Sequence, residues 1–231
     1  MGTDKLPRVV VVGSGFGGLQ AVRTLANTAV EVVLVDRNNY HTFSPLLHQV
    51  ATAELEPEQV AYPIRSILRN CSNVRFCMTD IQGINLDKQL LDTGSSLIPY
   101  DFLIVATGSA SHLLTVLGTQ TYAFSLKTLP QAIALRNHIL NCFEQAIHEV
   151  DAKHLQRLLT FTIVGGGATG IEFAGALAEL VREVMRLDYP TRLLSQVRIV
   201  LLHSGKYLLY HISPFLSAYT QACLWRCILA G

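Results

Sequence analysis

The chain has 231 residues, 50% of them hydrophobic and 15% charged, and its formal net charge at pH 7 is +1. This length permits one large or two small domains, and so small a net charge argues against a basic surface that would attract nucleic acid. Five cysteines, an odd number with no C-x-x-C pair, argue against a disulfide framework or a zinc site, so no metal is expected.

The first part of the chain has the pattern strand, glycine loop, helix, strand. The apolar runs 9–12 and 32–35 predict two buried parallel strands, over 9–12 and 31–35, with a helix between them that continues over 20–26. Gly13, Gly15 and Gly18 occupy the G-x-G-x-x-G positions, which permit a tight turn, a close approach to a pyrophosphate and close helix packing. Asp36 ends the second strand, where a carboxylate hydrogen-bonds a ribose hydroxyl. The pattern predicts a dinucleotide site; the alternative is a glycine turn beside an unrelated aspartate.

The middle of the chain predicts a mixture of strands and helices. In chain order these are a turn over 38–44, a helix whose final part begins near Pro63, a strand over Val74–Met78, a hairpin over 86–98 around Gly94, a buried strand over 102–106, a helix over 128–150 capped by Thr128, and a polar connector over 151–157.

A second strand, glycine loop and helix follow about 150 residues after the first. Gly165, Gly167 and Gly170 occupy the same three positions, between a strand over 161–164 and a helix reaching about residue 187. The strand over 197–202 ends at His203 and Ser204 instead of an acidic residue. A carboxylate there would read the 2′-hydroxyl of NAD, whereas His203 could tolerate a 2′-phosphate, so the choice between NADH and NADPH stays open.

Two such loops predict an α/β protein made of two Rossmann-like dinucleotide-binding domains with mostly parallel sheets. We place the domains at residues 1–111 and 112–231. One site would hold a flavin and the other a nicotinamide co-substrate, because hydride transfer between the two cofactors fits this arrangement.

Several stretches resemble the type II NADH:quinone oxidoreductases, a family of FAD-dependent enzymes. They are YHTFSPLLHQVA (40–51), YDFLIVATGS (100–109), LK (126–127), LRNHI (135–139) and IVGGGATGIE (163–172). The resemblance implies FAD at the first loop and NADH or NADPH at the second. It places Pro45 and Leu46 near the flavin ring and Glu172 near the nicotinamide, although Glu172 could instead be a first-turn charge favoured by the helix dipole.

The candidate cofactor-binding residues fall into two groups. Those for FAD are Gly13, Gly15, Phe16, Gly17, Gly18, Asp36, Arg37, Ala106, Thr107 and Gly108, and those for the nicotinamide dinucleotide are Gly165, Gly166, Gly167, Ala168, Thr169 and Gly170.

The resemblance covers residues 8 to 204 and implies features that are not found in this sequence. Members of the family are about twice as long, complete the FAD domain after the nicotinamide domain, and attach peripherally to the membrane through a C-terminal segment. We therefore expect a truncated chain with two incomplete domains and a possible complementary C-terminal fragment. The sequence has no signal-peptide pattern and no run of about 20 apolar residues, which predicts a cytoplasmic location.

The expected function is an NAD(P)H dehydrogenase that passes two electrons from FAD to a quinone. The redox cysteine pair of the disulfide reductases is absent after the first unit, where Ser44 to His48 stand instead. Two alternatives stay open: a catalytically inactive nucleotide-binding fragment, and another flavin-dependent NAD(P)H reductase with a soluble acceptor.

Overall fold

A computed structural model describes residues 5–111, 118–209 and 212–229. The chain forms two compact units: the first contains Met1–Thr42 and Ala61–His112, and the second contains Phe43–Val60 and Leu113–Gly231. The domain boundary placed at residue 112 lies outside the described residues. The segment Phe43–Val60, expected in the first domain, makes its contacts within the second unit.

In chain order the elements are β1 Arg8–Val12, α1 Phe16–Leu25, β2 Glu31–Asp36, β3 Tyr40–Thr42, a 3₁₀ turn Ser44–Leu46, α2 Leu47–Ala51, α3 Pro57–Val60, β4 Ala61–Pro63, α4 Ile64–Ile67, β5 Val74–Met78, β6 Gly83–Asn85, β7 Leu90–Asp92, β8 Leu97–Pro99, β9 Phe102–Val105, α5 Thr119–Tyr122, α6 Leu129–His148, α7 Ala152–Leu158, β10 Thr160–Val164, α8 Ala168–Glu179, a π turn Leu180–Val184, a 3₁₀ turn Met185–Leu187, α9 Thr191–Leu194, β11 Arg198–Leu202 and α10 Pro214–Leu229. The α/β class is confirmed.

The first unit is built on a four-stranded parallel sheet in the order β5-β2-β1-β9. The valine runs of β1 and β2 are buried on both faces, which explains why they are continuous instead of alternating. One face packs Val9, Val11 and Leu34 against α1 and α4, and the other packs Val10 and Val33 against Leu91 and Tyr100. Since β1 lies inside the sheet, the loop that follows it stands at the centre of the carboxyl edge.

Of the two antiparallel sheets in the first unit, one was not predicted from the sequence and the other was predicted in part. β3 pairs with β4, Tyr40 opposite Pro63 and Thr42 opposite Ala61, where a turn and a helix were expected. This pairing joins residues about 20 positions apart, so local periodicity does not show it. The hairpin around Gly94 is confirmed as β7–β8, and β6 adds a third strand on the other side of β7.

The second unit has a two-stranded parallel sheet, β10–β11, together with α6 and α8. Phe143 on α6 is fully buried, and its ring lies 5.8 Å from that of Phe161 and 5.4 Å from that of Tyr189. α2 packs against both α6 and α8 and buries Leu47 and Val50 there. These apolar contacts are the physical reason why Phe43–Val60 belongs to the second unit.

Two predictions in the second unit were wrong or incomplete. The expected connector over 151–157 is the helix α7, whose N-cap Asp151 accepts a hydrogen bond from the Lys153 N–H at 3.1 Å. The helix expected to reach residue 187 is α-helical only to Glu179 and then continues as a wider π turn followed by a tighter 3₁₀ turn. The tail contains α10, which is held to the preceding turn by a 2.6 Å bond from Ser217 Oγ to the Leu208 carbonyl.

Tyr189 should make the second unit sensitive to alkali. Its hydroxyl donates to Glu144 Oε1 at 2.7 Å, and burial, followed by this bond to an anionic acceptor, raises the Tyr189 pKa to about 12 from an ordinary value of 10.0. The folded state therefore favours the neutral phenol. The stability it contributes is fully present below pH 10 and is lost as the pH rises towards 12.

The test is the urea midpoint measured between pH 9 and 12.5. We expect Tyr189→Phe to show a shallower decline across this window than the wild type, and Tyr122→Phe, at a position 83% exposed, to retain the wild-type slope. Equal slopes for the wild type and Tyr189→Phe would contradict the assignment.

Candidate functional site

The first glycine loop, from Gly13 to Gly18, joins β1 to α1 and is shaped by its glycines. Gly13 has φ +102°, which side chains disfavour, and its N–H donates to the Val35 carbonyl at 2.8 Å. A Cβ on Gly18 would overlap the carbonyl oxygen of Gly13, so glycine is needed for α1 to start this close to β1. A Cβ on Gly15, by contrast, would meet no protein atom within 4 Å. The packing of the protein itself therefore does not require glycine at position 15.

The beginning of α1 faces the same open space. Gly15 is its N-cap and supplies no side-chain hydrogen bond, and the first turn contains no acidic residue. The first N–H groups of a helix lack intrahelical partners, and the helix dipole adds partial positive charge there. Phe16 is 52% exposed and its ring packs edge-on against that of His41, at 5.1 Å between centroids. The loop thus has the shape and electrostatics of an anion cradle.

Asp36 closes the loop from the end of β2. Its Oδ2 accepts hydrogen bonds from the Ser14 N–H at 2.6 Å and the Ser14 hydroxyl at 2.7 Å, and its Oδ1 accepts from the Asn38 N–H at 2.8 Å. His41 Nδ1 lies 2.9 Å from the Ser14 carbonyl oxygen. Asp36 therefore fixes the turn as well as standing where a ribose-binding carboxylate is expected.

Removing the Asp36 carboxylate should weaken the first unit even without a cofactor. Asp36→Ala leaves the N–H and hydroxyl of Ser14, a residue only 3% exposed, without their acceptor. Because hydrogen bonds to charged groups contribute about 1.5–3 kcal/mol, we expect the free energy of unfolding to fall by about that amount.

Urea denaturation of FAD-free protein measures this effect, with Asp36→Asn as the matched control. The asparagine retains an acceptor oxygen and should lose less. A change below about 0.5 kcal/mol for Asp36→Ala, typical of inert surface substitutions, would show that these bonds are unimportant.

The residues after β9 lie against the same loop. The Ala106 N–H donates to the Val12 carbonyl at 2.8 Å, and a Cβ on Gly13 would overlap the carbonyl oxygen of Ala106. Thr107 and Gly108 continue from it and are exposed, with Gly108 at φ +72°. The other candidates, Gly17 and Arg37, are exposed on the loop and just after Asp36.

The second glycine loop repeats this geometry within the second unit. Gly165 has φ +122° and donates its N–H to the Leu202 carbonyl at 2.8 Å. A Cβ on Gly170 would overlap the carbonyl oxygen of Gly165, and a Cβ on Gly167 would meet no protein atom within 4 Å. Ala168 and Thr169 begin α8, again without a side-chain cap. The tight turn, the open middle glycine and the closely packed third glycine recur in order.

His203 occupies the position in the second loop that corresponds to Asp36 in the first. Val164 pairs with Leu202 as Val12 pairs with Val35, and the next residue is His203 or Asp36 respectively. His203 Nδ1 accepts from the Gly166 N–H at 3.2 Å, as the Asp36 carboxylate accepts from Ser14. Its Nε2 lies 3.1 Å from the Tyr207 carbonyl oxygen. An imidazole thus replaces a carboxylate in the same role.

The turn after His203 also packs on the second loop. The Leu209 N–H donates to the Gly166 carbonyl at 2.9 Å. A Cβ on Gly166 would come within 2.7 Å of His203 Cγ and 2.8 Å of Leu208 Cδ2. Gly166 is therefore required by these neighbours.

A cavity of about 170 Å³ lies beside the second loop in the same unit. It is lined by Ser44, Pro45, Leu47, His48, Leu126, Lys127, Thr169 and Glu172. Glu172 is on the first turns of α8, and its Oε2 lies 3.7 Å from His48 Nδ1 on α2. His48 is largely buried and Glu172 is half exposed. The cavity therefore combines an apolar wall with an ammonium, an imidazole and a carboxylate.

Pro45 and Glu172, predicted near the reacting groups, both line this cavity, whereas Leu46 does not. Leu46 is half-buried in the 3₁₀ turn. Sequence reasoning assigned no role to His48 or Lys127, although both stand inside stretches that carry the family resemblance. The bond between Gly166 and His203 was also missed, and the only signal for it was the missing acid after β11.

A second hollow in the described part of the chain contains none of the predicted site residues. A wider hollow of about 470 Å³ is lined by polar residues of α6 and by the Glu149–His154 ion pair. Among the described residues, no three His, Cys, Asp or Glu side chains are grouped closely enough to hold a metal ion. Within the same residues, no helix is long and apolar enough to cross a membrane.

Comparison with known proteins identifies the family. A family model described as pyridine nucleotide-disulphide oxidoreductase matches residues 7–205, which include both glycine loops. The chain belongs to this family. Pyridine nucleotide-disulphide oxidoreductases with similar sequences include the type II NADH:quinone oxidoreductase NdhA of Mycobacterium tuberculosis, 37% identical over 219 residues. An external alternative NADH-ubiquinone oxidoreductase of Yarrowia lipolytica mitochondria is 31% identical over 206 residues.

Among solved structures, the fold is similar to that of NDH2 from Plasmodium falciparum in complex with NADH. That structure matches 97% of this chain with a TM-score of 0.90 at 22% identity, which supports the fold. The region matched to NdhA is 93% of this chain but only 46% of NdhA. The region matched to NDH2 is 47% of the NDH2 chain. It therefore spans about half the length of these relatives.

Proposed function

We propose that this chain acts as an FAD-dependent NAD(P)H dehydrogenase that passes two electrons to a quinone. The observation that carries the proposal is the repeated geometry of the two loops. In each, the middle glycine of the motif, Gly15 or Gly167, faces space that no protein atom fills. Two anion cradles in one member of this family fit one cofactor and one co-substrate.

At the first loop, the N–H groups at the start of α1 would hold the FAD pyrophosphate. Asp36 would accept the hydrogen bond of the adenosine ribose, and Ala106 to Gly108 would lie against the cofactor. Phe16, within the loop, and Arg37, directly after Asp36, are exposed and would complete the surface of this cradle.

At the second loop, the N–H groups of Gly167, Ala168 and Thr169 would hold the pyrophosphate of NADH or NADPH. The cavity bounded by Pro45, Lys127 and Glu172 would receive the nicotinamide half. His48, which lines the same cavity, has its Nδ1 3.7 Å from Glu172 Oε2 and would help to position that carboxylate.

When bound, FAD supplies the chemistry, accepting a hydride from the nicotinamide and delivering two electrons onwards. The overall reaction converts NAD(P)H, a proton and a quinone into NAD(P)⁺ and a quinol. The residues of the chain bind and orient, which is why no nucleophile and base pair is needed. Similarity to proteins named as NADH:quinone oxidoreductases supports quinone as the acceptor.

The test is to incubate the purified chain with FAD, remove unbound FAD and record the visible flavin spectrum. We expect retained flavin, bleaching by NADH or NADPH under anaerobic conditions, and recovery of the spectrum when a short-chain quinone is added. Protein that retains no flavin would contradict the proposal. Bleaching followed by recovery with ferredoxin or a soluble dye but not with quinone would favour the soluble-acceptor alternative. Flavin retained without bleaching would favour an inactive nucleotide-binding fragment.

A further inference from the structure

We infer that the second glycine loop selects the nicotinamide dinucleotide that carries a 2′-phosphate, NADPH, over NADH. This inference rests on the proposed function and concerns the residues that face the adenosine ribose. It follows from comparing the two loops of this chain with each other.

The residue that would face the ribose in the second loop can be compared with the residue at the same position in the first loop. Asp36 and His203 follow the same position of the second strand, and each accepts a hydrogen bond from the second residue of its loop. A carboxylate at this point accepts the ribose 2′-hydroxyl and repels a 2′-phosphate. The first site has that carboxylate, as suits FAD, which bears no 2′-phosphate. The second site lacks the group that would exclude one.

The imidazole of His203 is held in place from both sides. Since Nδ1 accepts from the Gly166 N–H, the proton of the neutral ring is on Nε2 and is donated to the Tyr207 carbonyl. The ring therefore presents no negative charge to a ligand at the end of β11.

The turn that begins at His203 is rich in hydrogen-bond donors and in positive charge. Ser204, Gly205 and Lys206 are all exposed, and the Lys206 ammonium lies 5.2 Å from the centre of the Tyr207 ring. Beyond Asp188 the sequence contains no aspartate or glutamate, and its charged residues are Arg192, Arg198, Lys206 and Arg226. A hydroxyl, a backbone N–H and an ammonium on one short turn are the groups that a phosphate monoester requires.

The experiment measures binding and does not depend on turnover. The full chain, saturated with FAD, is titrated by calorimetry with NADP⁺ and NAD⁺, and separately with adenosine 2′,5′-bisphosphate and AMP, which differ only in the 2′-phosphate. We expect NADP⁺ to bind at least about tenfold more tightly than NAD⁺, and the 2′,5′-bisphosphate to exceed the fragment without a 2′-phosphate by the same factor. This factor corresponds to the free energy of one or two hydrogen bonds to a charged group.

Two variants and a control separate the contributions. Lys206→Gln, at an exposed position, should weaken NADP⁺ binding about five- to tenfold and leave NAD⁺ binding unchanged. His203→Glu should reverse the preference. Lys153→Gln, on the exposed side of α7, removes an equal charge elsewhere and should change neither affinity.

The outcomes distinguish this inference from the function on which it rests. Equal or tighter binding of NAD⁺ by the wild type would overturn the inference and leave the proposed function standing. Binding of neither dinucleotide, nor of their adenosine fragments, would overturn both. An unchanged ratio of the two affinities in Lys206→Gln would overturn the role of the turn.

Discussion

Gly15→Ala should leave the protein folded and remove most of its affinity for FAD. A methyl group at this position meets no protein atom within 4 Å, and the Gly15 backbone, at φ −70°, suits alanine. The methyl group would instead occupy space next to the proposed pyrophosphate. Overpacking costs about 1–3 kcal/mol, so affinity should fall about 5- to 150-fold while the thermal midpoint stays near that of the wild type.

Gly18→Ala is the matched control, because the same methyl group at that position would overlap the Gly13 carbonyl. It should lower the stability of FAD-free protein by about 1–3 kcal/mol or more, through displacement of α1. Fluorescence titration with FAD and urea denaturation measure the two properties separately. If Gly15→Ala bound FAD as tightly as the wild type, the first loop would not be the FAD site.

Phe143→Ala should destabilise the second unit by about 3–5 kcal/mol, the usual cost of deleting a buried aromatic side chain. Phe143 is fully buried on α6, and its ring contacts those of Phe161 and Tyr189, which join β10 and the turn before α9 to this helix. That loss is a large fraction of the net stability of a domain, which is only about 5–15 kcal/mol.

The control for Phe143→Ala is Phe215→Ala, which removes the same side chain from a position 78% exposed on α10. It should change the free energy of unfolding by less than about 0.5 kcal/mol. Urea denaturation followed by near-ultraviolet circular dichroism reports both. A loss below about 1 kcal/mol for Phe143→Ala would mean that the core does not depend on this ring.

Local signals predicted β1, α1, β2 and both glycine loops correctly. Each of these elements is determined by neighbours in the sequence, because valine runs buried on two faces and glycines in tight turns leave few alternatives. The helix α7 could also have been found, since Asp151 is a good N-cap and the residues that follow are good helix formers. Its polar composition was misleading, because the helix buries no residue completely.

The parts that could not be predicted depend on distant partners. The ladder of β3 and β4 needs residues on both sides of α2 and α3, and neither strand has more than three residues. The role of His203 depends on its bond to Gly166, 37 residues earlier. The cavity beside Glu172 combines segments near residues 45, 127 and 170, which only the tertiary fold brings together.

The position of Phe43–Val60 in the second unit has a consequence for the order of synthesis. α2 is made about 80 residues before α6, which supplies one of the surfaces that bury Leu47 and Val50. At about 5–20 residues per second, the growing polypeptide carries this apolar helix without its partner for several seconds. Folding of the second unit therefore has to wait until α6 has been made, and a fragment starting after residue 112 would not contain α2.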